Sequence, residues 1–124
     1  MKKEQHNTKG QILIIEDDRD IRETLVQVLE FSGYTALSAS NGVEGLKALS
    51  KGRLPCLVLL DLMMPIMNGY DFLKEISKYE TLKDLPILVI SAFNLNVKPL
   101  NKVIGILKKP FRLEQLTPYF DRFC

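Results

Sequence analysis

The run Leu57-Val58-Leu59-Leu60 ends abruptly in one carboxylate, Asp61, and is fenced by Pro55 before it and Pro65 after it. An apolar run that short, between two breakers, fits a strand buried on both faces. Strands of that kind belong to parallel sheets with helices packed on either side. Asp61 then falls at the carboxyl end of the strand, where an open parallel sheet leaves its ligand crevice. Met64-Pro65 stops the strand, and Asn68-Gly69 can turn the chain and start a helix. A carboxylate in such a place is also an ordinary turn residue, and this run alone does not decide between the two.

The rest of the chain repeats the alternation. Ile12-Leu13-Ile14-Ile15 is a second buried strand, closing in Glu16, Asp17 and Asp18. Ile21, Leu25, Val28 and Leu29 follow at helical spacing, with Asp18 or Asp20 as cap and Gly33 as stop. Tyr34 to Ser38 reads as a weaker strand. Asn41-Gly42 opens a helix with Val43, Leu46 and Leu49 inward, ended by Gly52. Phe72, Leu73 and Ile76 mark a third helix from about Gly69 to Tyr79. Ile87 to Ile90 is another buried strand, ending in Ser91-Ala92. Residues 96–104 have room only for a short helix, with Pro99 in its first turn. Ile106-Leu107 makes a brief last strand before Lys108-Lys109-Pro110. Leu113, Leu116 and Phe120 predict a final helix that Pro118 should kink or shorten. The expected fold is α/β: a flavodoxin-like (βα)5 doubly wound parallel sheet, strand order 2-1-3-4-5, with a shortened fourth helix. Residues 1–10 are expected to be a flexible tail and 11–124 the domain.

At 124 residues the chain suits one core. A hydrophobic fraction of 46%, a charged fraction of 26% and a net charge of +2 describe an ordinary globule and supply no basic surface for nucleic acid or membrane. The apolar runs fall far short of a membrane span. Residues 1–10 have no signal-peptide core, and His6 among them is expected to be solvated. Cys56 and Cys124 make no disulfide framework. Cys56 is expected to be a small core residue in a reduced, cytoplasmic protein.

In the 2-1-3-4-5 order the first and third strands lie side by side. Glu16, Asp17 and Asp61 then converge in one crevice. Like charges so placed raise one another's pKa, and a hard, partly hydrated cation such as Mg²⁺ relieves the cost. A carboxylate beside a metal can also act as nucleophile toward phosphorus, giving an aspartyl phosphate. Lys109 can supply an ammonium to the phosphoryl oxygens, and Ser91 a hydroxyl. Each of these residues also has a plain reading, as helix cap, turn residue or solvated charge. It is their meeting at one sheet edge that points to chemistry.

Together, Ile14 to Asp18, Leu59 to Gly69, Ser91-Ala92 and Lys109-Pro110-Phe111 resemble the receiver domains of two-component response regulators, notably the stand-alone, chemotaxis-regulator-like kind. The resemblance runs from Ile12 to about Phe120. It implies that Asp61 accepts a phosphoryl group from a sensor histidine kinase or a histidine phosphotransfer protein. It also implies a Mg²⁺ site made of Asp17 directly, Glu16 through water, Asp61, and the backbone carbonyl of Met63. Ser91 becomes the switch hydroxyl, Lys109 the phosphate-pairing lysine, and Ala92 the small residue that leaves Asp61 accessible. Such a protein is a signalling module rather than an enzyme. Its output is contact with a downstream effector protein, with no direct binding of nucleic acid or membrane.

The chain departs from that family in three places. Ile106 stands where an aromatic residue usually turns inward on activation. The interval from Ser91 to Lys109 is short. Pro99 and Pro118 fall in the last two helices. An output domain is not expected within these residues. Two rival readings remain open to these residues. A phosphatase of the haloacid dehalogenase type needs a second Asp two residues after its nucleophile, and Met63 stands there. An atypical receiver acting as a phosphorylation-independent interaction module keeps support from Ile106 and the short fourth helix.

Overall fold

The computed structural model describes residues 9–92 and 103–124. Its elements follow in the order β1 (Gln11–Ile15), α1 (Arg19–Phe31), β2 (Thr35–Ala39), α2 (Gly42–Leu49), β3 (Leu57–Asp61), α3 (Gly69–Ile76), β4 (Ile87–Ser91), β5 (Val103–Lys108) and α4 (Leu113–Phe123). The strands form one sheet in the order β2-β1-β3-β4-β5, and every pairing is parallel. This is the flavodoxin-like arrangement expected from the alternation. Pro99 and most of the expected fourth helix lie outside the described residues, as does His6, but Val103 and Ile104, expected at the end of that helix, belong to β5, which is longer than the brief Ile106-Leu107 strand expected.

The apolar runs are continuous because both faces of the sheet are covered. Leu13, Ile15, Val58, Leu60, Ile87 and Val89 face one cluster, closed by Phe72, Leu73 and Ile76 of α3 and Leu49 of α2. Their neighbours Ile12, Ile14, Leu57, Leu59, Leu88 and Ile90 face the other, closed by Leu25 and Leu29 of α1 and Leu116 and Phe120 of α4. Successive side chains of a strand point to opposite faces, so each run divides evenly between the two cores. Across the second core the rings of Tyr34 and Phe120 meet edge to face at 5.5 Å.

Short polar residues start the helices. Asp18, Asn41 and Asn68 accept the backbone N–H of Ile21, Glu44 and Asp71 at 3.0, 2.9 and 2.9 Å, the geometry that satisfies an otherwise orphaned first-turn donor. Gly33 ends α1 at φ 96°, and the Tyr34 N–H reaches back to the Leu29 carbonyl at 3.0 Å. Among the described residues no helix is long and apolar enough to cross a membrane.

The structure differs from expectation at three further places. α3 stops at Ile76, and Lys78 and Tyr79 fall in the turns that follow. Pro118 lies inside α4, which continues through it to Phe123. Proline there removes one donor from the helix ladder, while Leu116 and Phe120, on either side of it, are almost wholly buried. Cys56 is not a free core thiol: it is bonded to Cys124, 68 residues away, with Cα atoms 5.5 Å apart.

Candidate functional site

The order β1-β3-β4-β5 brings four strand ends to one edge. Glu16 and Asp17 leave β1, Asp61 ends β3, Ser91 ends β4, and Lys109 follows β5. The Lys109 N–H donates to the Ser91 carbonyl at 2.7 Å, which carries the β4–β5 ladder to the rim of the site. The Lys109-Pro110 peptide is cis.

Carboxylate oxygens of Glu16, Asp17 and Asp61 lie within 4.8 Å of one another, with Asp17 exposed and the other two buried. The Lys109 ammonium nitrogen is 2.6 Å from Glu16 Oε1 and 3.5 Å from Asp61 Oδ2, and its side chain is 17% exposed. The approach to Glu16 is an ion pair without hydrogen-bond alignment, so Glu16 Oε1 keeps acceptor capacity inside the protein. Glu16 Oε2 accepts the Asp18 N–H at 3.1 Å, and Asp61 Oδ1 accepts the Met63 N–H at 3.1 Å.

Burial first, and then the Asp61 carboxyl beside it, raise the Glu16 carboxyl to about 7 despite the opposing ammonium of Lys109. Burial alone would lower Lys109, but Glu16 and Asp61 more than offset it and leave the ammonium raised. The pocket therefore carries more negative charge than one lysine neutralises. Its donor set fits a hard divalent cation: oxygen atoms only, one exposed carboxylate, and a buried oxygen with capacity to spare.

The loop after β3 depends on Gly69. A Cβ there would stand 2.7 Å from the Asp61 carbonyl oxygen and 2.7 Å from Leu62 Cα, and the Gly69 N–H donates to the Leu62 carbonyl at 3.0 Å. Backbone cannot give way as a flexible side chain can. Gly69→Ala is expected to cost about 1–3 kcal/mol of stability, read from urea unfolding. An unchanged midpoint would show that the loop relaxes freely. Within the same loop Ile66 is left-handed at φ 68° and 82% exposed, an uncommon conformation for a β-branched residue.

Two further side chains bear on the site and its readout. Arg22 is turned toward its own backbone, donating to the carbonyls of Glu16 at 2.9 Å and Asp17 at 3.3 Å. It holds the loop that carries both carboxylates, a role that one turn of helical spacing from Asp18 could have hinted at. Ile106 stands beside Val89 on β5 and is 41% exposed.

The fold and this edge define the class of an open α/β protein with an acidic pocket at its strand ends. Known relatives narrow that class. The family model described as the response regulator receiver domain matches residues 12–121, and the chain belongs to that family. Response regulator MprA of Mycobacterium ulcerans is 38% identical over 112 residues, covering 85% of this chain and 46% of that protein. The chain thus spans less than half the length of that relative. A CheY-like response regulator receiver domain protein from Methanospirillum hungatei is 30% identical, with a TM-score of 0.80 over 93% of this chain and 94% of that one. The response regulator TrrA of Thermotoga maritima, solved in complex with Mg²⁺ and BeF, is 29% identical, with a TM-score of 0.78 over 92% and 98% of the two chains.

Proposed function

We propose that the chain is a Mg²⁺-dependent phosphoacceptor, and that Asp61 takes a phosphoryl group from a histidine kinase or a histidine phosphotransfer protein. The observation that carries this reading is the Asp61 carboxylate at the strand end, with Glu16 and Asp17 within 4.8 Å and the Lys109 ammonium 3.5 Å away. An Asp61 oxygen attacks phosphorus, and the phosphorus–nitrogen bond to the donor imidazole breaks as the new phosphorus–oxygen bond forms. Asp17 directly, Glu16 through water, Asp61 and the Met63 carbonyl would hold the ion, which when bound offsets charge on the carboxylates and on the transferring group. Lys109 exchanges part of its contact with Glu16 for a phosphoryl oxygen, and the Ser91 hydroxyl donates to another.

The donor protein is expected to dock beside the site. A groove of about 460 Å³ lies between Asp20, Ile21, Thr24 and Leu25 of α1 and Lys109, Pro110 and Phe111. Its lining is mostly apolar, and it opens next to the phosphoacceptor. Arg19, exposed and paired with Glu23 at 3.2 Å, lies on the same helix and is better placed than Arg22 to meet a partner's carboxylates.

The metal is tested directly. Asp17→Asn removes the exposed ligand without touching the core. It is expected to weaken Mg²⁺ affinity by at least about 10-fold, measured by titration of metal-free protein. Wild-type affinity in that variant would remove Asp17 from the ligand set.

Readout at β5 is expected to be weak. A switch responds only through interactions that differ between its two states. Ile106 has no ring to swing, and its β-branched side chain is restricted in χ1. Beryllofluoride, a phosphoryl mimic, should shift amide resonances strongly near Asp17, Met63 and Ser91, and the shifts should fade by Ile104 to Leu107. Equally large shifts across β5 and α4 would show a full switch without the aromatic residue.

A further inference from the structure

We propose that Cys56 and Cys124 form a reversible redox-modification site that fastens the last helix to the sheet, at the end opposite the phosphoacceptor. Cys56 immediately precedes β3, whose far end is Asp61, and Cys124 immediately follows α4. The two are bonded, with Cα atoms 5.5 Å apart, a spacing that meets the geometric demand of the link without backbone movement. Both cysteines are half-buried at the margin of the second core, so a small thiol or disulfide can reach them.

The bond joins elements that packing also holds. Leu116 and Phe120 seat α4 on the sheet by themselves, each 1% exposed, and the pairing of β3 with β1 and β4 is complete. The reduced state is also accommodated. The Gln11 carbonyl oxygen lies 3.2 Å from Cys56 Sγ and can accept the thiol proton. A reachable cross-link between elements that packing also holds suits reversible use.

The chemistry needs a low-molecular-weight disulfide as oxidant. The thiolate of one cysteine attacks a sulfur of that disulfide, forming a mixed disulfide and releasing one small thiol. The second cysteine thiolate then attacks the protein sulfur, closes the Cys56–Cys124 bond and releases the second small thiol. The protein loses two electrons and two protons, and a dithiol reductant reverses the change. The closed link constrains a long stretch of the unfolded chain and holds the end of α4 against the base of β3.

The test uses the full chain in glutathione redox buffers, without denaturant. Samples are trapped with N-ethylmaleimide and weighed intact. Both an unalkylated form, lighter by two hydrogens than the dithiol, and a doubly alkylated form should appear, with their ratio following the buffer. Oxidised protein should melt roughly 10 °C above reduced protein, and amide exchange in 120–123 should slow on oxidation. Cys124→Ser should melt like reduced wild type and ignore the buffer. Double alkylation throughout the series would overturn the proposal. So would a bond that dithiols open only after unfolding, or identical melting of the two forms.

Discussion

Asp61→Asn is expected to end phosphorylation of this chain. The substitution keeps the shape of the side chain and an oxygen for the Met63 N–H, which Asp61 Oδ1 now accepts at 3.1 Å. What it removes is the carboxylate proposed as nucleophile, at the end of β3. Glu16 is wholly buried and Asp17 is exposed on the neighbouring strand end, so neither stands where β3 delivers Asp61. With acetyl phosphate and Mg²⁺, wild type should gain one acid-stable, base-labile phosphoryl group. The variant should label at least about 100-fold less, as read from intact mass. Wild-type labelling in Asp61→Asn would place the acceptor elsewhere.

Lys109→Ala should have the largest effect on stability, and one that depends on pH. Lys109 is the ammonium set between Glu16 and Asp61. Its own folded pKa is raised, so its own titration lies above this range and adds no pH dependence from pH 5 to 8. Glu16 behaves oppositely across that window. Its folded carboxyl titrates at about 7, above its unfolded value, so the folded state holds a proton that the unfolded chain has already lost. Stability from that group is present at pH 4 and falls as pH rises through about 7. Metal-free wild type should weaken over this range. The variant should weaken more, because two buried carboxylates then face each other with no cation. The gap between the two proteins should be small at pH 5 and grow to about 2–3 kcal/mol at pH 8, with saturating Mg²⁺ closing part of it. Thermal melts at the two pH values measure this. A gap independent of pH would mean that Lys109 acts through packing alone.

Much of the fold was legible because burial on both faces writes itself as unbroken runs at Ile12 to Ile15, Leu57 to Leu60 and Ile87 to Ile90. Asn41 and Asn68 announced their helices through the capping bond that short polar side chains make. The meeting of Glu16, Asp17, Asp61 and Lys109 followed from strand order, since parallel strands send all their carboxyl ends to one edge. The rest depended on tertiary context. Pro118 breaks an isolated helix, but α4 is held from outside by Leu116 and Phe120, and packing prevails over propensity. The Cys56–Cys124 bond joins positions whose closeness depends on where α4 docks. The bonds of Arg22 to the loop it holds form only once α1 has docked, and the left-handed Ile66 contradicts its own side-chain preference. The roles assigned to Ser91, Met63 and the carboxylates rest on the proposed chemistry.

The parallel pairing has a consequence for how quickly the sheet assembles. No two neighbouring strands can be joined by a tight hairpin, and the central pair must close over a long detour: Gln11 and the Cys56 that bonds its carbonyl are 45 residues apart in sequence. Loop entropy is spent before those contacts return anything, so folding should run in milliseconds or slower rather than microseconds. Until α1 and α3 dock, the aliphatic strands present bare, β-prone segments to other chains. Asp61, Glu16 and Lys109 punctuate the ends of those segments. The charges gathered for the pocket also serve as gatekeepers against intermolecular strand pairing while the domain is still incomplete.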